Sequence, residues 1–224
     1  ILVGVRQGPF SAPAARFNPR FVLHVFRARG TRLALLGYLG HQWELYAMWA
    51  WLPLFLLQII TRKGGDPSLA AALSFTAIAL GGAGSVVAGA IADRVGRTAV
   101  ATAAMIISGS MAIVMAGLIN GPLWILIPIT FLWGLSVVAD SAQFSAAISE
   151  LSPPKYVGSA LTTQTSIGFL LTFPSIHLIG LIIENESRWA LAFILLALGP
   201  VIGICSMLRL RALPEAARMA GGRR

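Results

Sequence analysis

A carboxylate and an imidazole three residues apart within an apolar helix can take up and release a proton, and this chain carries such a pair at His41 and Glu44. That spacing brings both side chains to one helix face, where Met48 and Trp51 continue the stripe. Counting about 1.5 Å per residue from Arg32 places Glu44 roughly 18 Å along its helix, near the middle of a bilayer. A carboxylate facing lipid at that depth is costly, so Glu44 is expected to face other helices or a water-filled cavity. Two readings follow: the pair lines a cavity in which protons or solute bind, or it is a satisfied polar pair that locks helix packing. The same alternatives hold for Gln42, Tyr46 and Trp49 on this helix and for Gln164, whose amide could donate to a solute. The deep cluster of Trp43, Trp49 and Trp51 could wall a cavity or simply pack, whereas Trp189, just after an outer loop, is expected at the membrane interface.

A second cluster, Gly-Ala-Ile-Ala-Asp-Arg-Val-Gly-Arg from Gly89 to Arg97, puts charge between two long apolar segments and reads as a tight connection at a membrane surface. Gly89 stands one turn above Asp93 and leaves a side-chain-free spot where a neighbouring helix can come close. Gly96 allows a sharp reversal. Asp93 can accept from the free N–H groups of a helix start, while Arg94 and Arg97 can reach lipid phosphate or a carboxylate. Asp140 falls about 17 residues into the fourth apolar segment, near the same surface, with Arg94 or Arg97 as its expected partner.

These residues must be positioned by helices in a bilayer. Hydrophobic residues make up 57% of the 224-residue chain and charged residues 11%, which excludes an ordinary soluble domain. Apolar segments at 33–59, 68–91, 98–118, 123–144, 157–182 and 189–208 are each helix-length, too long and too uniformly apolar for the strands of a barrel. The net charge of +9 does not form one patch, so a nucleic-acid partner is not expected. Instead, alternating loops place fourteen of the seventeen Lys and Arg residues on one side, which the positive-inside rule makes cytoplasmic together with both chain ends. Residues 1–32 read as the end of a preceding span plus a basic linker with an interfacial helix from Asn18-Pro19, carrying His24 on its polar face; 33–210 as a six-helix bundle; and 211–224 as a basic tail. Cys205 lies in an apolar run as a small packed residue, and no disulfide framework exists. No phosphate loop, zinc spacing or nucleophile motif is visible, so no catalytic residue, metal or cofactor is expected.

The Gly89–Arg97 nonapeptide, set between two membrane-length runs, resembles the Gly-x-x-x-Asp-Arg-x-Gly-Arg signature of the major facilitator superfamily of secondary transporters. The run from Gly37 to Trp51 and the Asp-Ser-Ala-Gln-Phe-Ser segment at Asp140 are similar to a bacterial branch of nitrate- and cyanate-type permeases, without the Asn- and Gly-rich fifth-span signature of nitrate carriers. The resemblance implies an all-α fold, the carboxy-terminal half of twelve helices. It also implies a partner half that precedes this one and a bacterial inner-membrane location. A small solute, such as an organic anion, would move by alternating access with protons, in symport or antiport. It further implies a gating latch of Gly89, Asp93, Arg94, Gly96, Arg97 and Asp140, with Asp140 clamping the arginines and Asp93 holding a helix start in the other half. Under this reading Glu44 and His41 should face out of the bundle toward that half. A non-transporting scaffold would instead consume its mid-depth polar groups internally.

Overall fold

In the computed structural model, which describes residue 22 and residues 25–223, the apolar runs become helices at all six expected places. They are α1 (Arg29–Arg62), α2 (Pro67–Val95), α3 (Arg97–Gly117), α4 (Leu123–Ala139), α5 (Ser141–Leu151), α6 (Val157–Ile183) and α7 (Trp189–Arg211). Six spans are long and apolar enough to cross a membrane, the fourth built from α4 and α5 together, and no strand occurs among the described residues. Of the expected interfacial helix only Val22 and the residues from Val25 are described; Val25 to Arg27 are helical and Val25 is buried, while His24 and the start at Asn18-Pro19 lie outside the described residues. Two boundaries differ from expectation. α1 starts at Arg29, inside the expected linker. The expected basic tail is a folded element: the short 3-10 turns Pro214–Arg218 and Ala220–Gly222 bury Leu213, Ala216 and Met219.

Local chemistry sets the helix ends. Asp66 accepts from the Ser68 backbone N–H at 2.9 Å and Pro67 occupies the first turn of α2, so one free donor is satisfied and one is absent. At the other end Gly96 adopts φ +104°, a backbone conformation that side chains resist, and passes directly into α3.

α1 is the central helix, packed against α2, α4, α5, α6 and α7. Contacts close enough to need glycine hold its neighbours. A Cβ at Gly134 of α4 would strike the Ala77 carbonyl of α2, and one at Gly84 would strike the Leu135 carbonyl in return. Gly40 of α1 and Gly199 of α7 meet in the same reciprocal way. In a bilayer, where apolar side chains gain little by leaving lipid, such backbone proximity is the main source of packing energy. Gly89, expected to provide a close approach, meets nothing within 4 Å; in the same helix, rich in small residues, Gly81 and Gly84 make the contact.

The interior holds two large apolar clusters and a small third one of Ala88, Ala92, Val100, Ala104 and Ala139. One, around Phe55, Trp133, Trp189 and Phe193, fills the half toward the Arg62–Asp66 loop; the other, around Leu35, Met105, Phe144 and Met207, fills the half toward Arg97. Trp189 belongs to the first cluster and donates to Gln58 Oε1 at 2.7 Å, so it is a core residue and not the interfacial one expected. Cys205 is also corrected: it is exposed on the outside of α7.

Gly134→Ala should lower bundle stability by about 1–3 kcal/mol through forced separation of α2 and α4, while Gly82→Ala, facing open space, should leave the thermal midpoint in lipid nanodiscs unchanged. The hydrogen bonds from Ser68 hold the Asp66 carboxyl below the usual carboxylate range. Its contribution is therefore present above the ordinary carboxylate value and lost as pH falls through the lowered one; the protection factor of the Ser68 amide, corrected for intrinsic exchange, should drop below that point.

Candidate functional site

The layer between the two apolar clusters is polar, and α1 supplies most of it. Helical periodicity brings Tyr38, His41, Gln42 and Glu44 into this layer between Leu35 and Leu45, members of the two clusters. Counting from Arg29, Glu44 stands about 22 Å along a helix about 51 Å long.

Glu44 is 1% exposed. Its Oε1 accepts from the Trp133 indole N–H of α4 at 2.8 Å, and its Oε2 accepts from the Ser108 hydroxyl of α3 at 2.8 Å. Both oxygens are thus satisfied by the bundle itself, which overturns the expectation that Glu44 faces outward toward a partner half. The physical reason is the rotation of α1: its less buried stripe runs through Leu36, Leu39, Trp43, Tyr46 and Ala50, and Glu44 faces away from it, toward the side chains of α3 and α4.

His41 likewise points inward. Its Nδ1 stands 2.8 Å from Asp140 Oδ1, an ion pair when the imidazole is protonated, although the angles fall short of a directed hydrogen bond; Nε2 has no hydrogen-bond partner. Tyr38 and Phe144 flank the ring at 6.1 and 5.6 Å. Asp140 can reach His41 because the fourth span is interrupted there. α4 ends at Ala139, α5 restarts at Ser141, and the Asp140 carbonyl accepts from Gln143 N–H at 2.9 Å in a tightened turn.

Asp140 therefore does not clamp Arg94 or Arg97, as expected. Arg97 instead meets Asp93 Oδ1 at 2.8 Å, Glu150 Oε1 at 3.3 Å and Gln143 Oε1 at 3.4 Å. The interrupted helix turns Asp140 inward and leaves Gln143, one turn later, to face the arginine. Arg94 is exposed at the end of α2, and the Asp93 side chain is 66% exposed. The folded tail joins this cluster: Ala220 N–H donates to Glu150 Oε2 at 3.0 Å, and Arg223 donates to the Asp93 carbonyl.

The remaining expected cavity residues lie on the α6 side of α1. Gln42 Nε2 donates to the Tyr38 hydroxyl at 2.9 Å, beside Gly168 of α6. Gln164 is fully buried, yet neither its Oε1 nor its Nε2 has a partner. Tyr46 and Trp49, half-buried, meet edge to face at 5.5 Å, Tyr46 also touches Phe169, and Trp49 Nε1 is buried without a partner. Trp43 and Trp51 donate to the Leu195 and Ile176 carbonyls, so those two indoles serve helix packing. The expected site residues thus form three groups: Glu44, His41 and Asp140 inside the bundle; Gln42, Tyr46, Trp49 and Gln164 toward α6; and Asp93 and Arg97 at the arginine end. Trp133, Ser108 and Glu150 were missed, although counting helical rise puts Ser108 roughly 17 Å from Arg97, a depth comparable to that of Glu44.

Among the described residues no group of three or more His, Cys, Asp or Glu side chains is arranged to hold a metal ion. A carboxylate and a carboxylate–imidazole pair held at mid-depth can exchange protons and bind dipoles.

Asp140→Asn should couple energetically with His41→Gln more strongly than with Arg97→Gln in double-mutant cycles of unfolding in mixed micelles, the latter pair adding within about 0.5 kcal/mol. A larger coupling to Arg97 would return Asp140 to the arginine cluster.

No protein-family model matches the chain, and no curated protein matches it at a significant level.

Proposed function

We propose that the chain is a half of a proton-linked carrier of major facilitator type, which moves a small polar solute, such as an organic anion, across a bacterial inner membrane with both ends in the cytoplasm. The observation that carries this reading is the polar layer itself: Glu44, His41 and Asp140 lie sealed between two apolar clusters, and His41 Nε2 and the whole Gln164 amide have no hydrogen-bond partner. Ionisable groups at membrane depth are costly, and pathways for protons and solutes are where they typically occur. A buried amide without partners costs about 1–3 kcal/mol, a penalty that a bound solute or water relieves.

In this reading the roles differ from those the sequence suggested. Glu44, His41 and Asp140 hold protons, and the α1–α6 side, with Tyr46, Trp49 and Gln164, meets the solute. The largely exposed Asp93 carboxyl engages a counterpart six-helix bundle, with Arg97 as its neighbour in the latch.

One observation favours a different class. A non-transporting scaffold would satisfy its deep polar groups internally, and both oxygens of Glu44 are so satisfied. The unpartnered Gln164 and His41 atoms support the carrier reading, because a purely structural core gains nothing from them.

The test uses the protein expressed from its complete gene and reconstituted in vesicles with an internal pH dye, challenged with a panel of mono- and dicarboxylates. A pH-gradient-dependent flux should appear and fall at least tenfold in Glu44→Gln. Asp93→Asn should keep the thermal midpoint and lose flux. Flux equal to that of empty vesicles across the panel would favour the scaffold.

A further inference from the structure

The Glu44 site contains a hydroxyl with a choice of partner. Ser108 Oγ stands 2.8 Å from Glu44 Oε2 and 3.4 Å from the carbonyl oxygen of Met105, one turn earlier on α3. A serine hydroxyl has one hydrogen and two lone pairs, and the hydrogen rotates to suit its surroundings. We propose that Ser108 is a swivel that lets Glu44 occupy both protonation states inside the sealed bundle, so that Glu44, Ser108 and Trp133 form a reversible proton-binding site. This rests on the proton-linked reading and names the positioning residue through which it works.

With Glu44 ionised, the Ser108 O–H donates to Oε2 and the Trp133 N–H donates to Oε1, so each carboxylate oxygen has one donor. When hydronium or a buffer acid delivers a proton to Oε2, one O–H bond forms on Glu44 and one breaks on the acid. The new Glu44 O–H donates to Ser108 Oγ, and the Ser108 hydrogen turns to the Met105 carbonyl. Trp133 continues to donate to Oε1, now the carbonyl oxygen of the acid. No heavy atom need change place, which matters in a close-packed interior. Alanine at 108 would offer neither a donor nor an acceptor; threonine would offer both.

The titratable groups that face this site are His41 on α1 and Asp140 at the α4–α5 junction. α3 and α4 present Ser108 and Trp133. Apart from exposed Cys205, the ionisable residues of α2, α3 and α7 lie in their end turns, that of α5 is Glu150 at its end, and His177 of α6 is exposed.

The experiment is pH-difference infrared spectroscopy of the full protein in lipid bilayers, with carbon-13 glutamate separating glutamic from aspartic acid bands. One acid carbonyl band should appear on acidification, move with the label and vanish in Glu44→Gln. In Ser108→Ala it should shift to higher frequency, because the acid O–H has lost its acceptor; in Ser108→Thr it should return to the wild-type position. Absence of a glutamic acid band lost in Glu44→Gln would overturn the proposal. So would a Ser108→Ala variant with a lowered thermal midpoint and an unmoved band, the signature of a merely structural serine. A titrating band without pH-driven flux would instead sink the carrier reading and leave the proton site standing.

Discussion

A carboxyl group at the centre of an apolar bundle must have its hydrogen bonds supplied by protein, and the arrangement of the helices follows from that requirement. Water is absent from the hydrocarbon region, so an unpaired oxygen there carries its full desolvation cost. Glu44 draws one donor from α3 and one from α4. Neither helix follows α1 directly in sequence, and the two donors fix the rotation of both helices about their axes. The apolar clusters on either side could slide over lipid-like surfaces; the indole and hydroxyl cannot slide without losing their acceptor.

The close helix crossings serve the same end. Glycines at Gly40 and Gly199 bring α7 against α1, and Gly84 and Gly134 bring α2 against α4. With backbones this near, side chains from α3 and α4 reach the middle of the bundle, where one indole spans the remaining gap. The interruption at Asp140 has a similar effect. A continuous fourth helix would carry residue 140 past His41 at a different angle, whereas the restart at Ser141 directs Asp140 inward and Gln143 toward Arg97.

Much of this was legible in the chain. Length and composition mark six spans, Gly96 marks the reversal, and three-residue spacing puts His41 and Glu44 on one face. The direction of that face was not legible, because lipid and core are both apolar and hydrophobic periodicity loses its power to tell inside from outside. Trp189 illustrates the point: an indole near a helix start reads as interfacial, yet Gln58 from the end of α1 holds it in the core. The partner of Asp140 was misassigned by depth and by resemblance, and depth gives the height of a residue but not its azimuth. The folded tail was hidden by its composition, since Leu213, Ala216 and Met219 are too few to signal a buried element among arginines.

That tail has a consequence for biogenesis. Its contacts, from Ala220 to Glu150 and from Arg223 to the Asp93 carbonyl, join residues translated after the sixth span to helix ends inserted much earlier. Chains fold as they emerge, from the amino terminus onward. The Glu150 carboxylate and the α2–α3 corner thus stay open until the segment from Leu213 to Arg223 has followed the sixth span, and the arginine end of the bundle closes later than its centre.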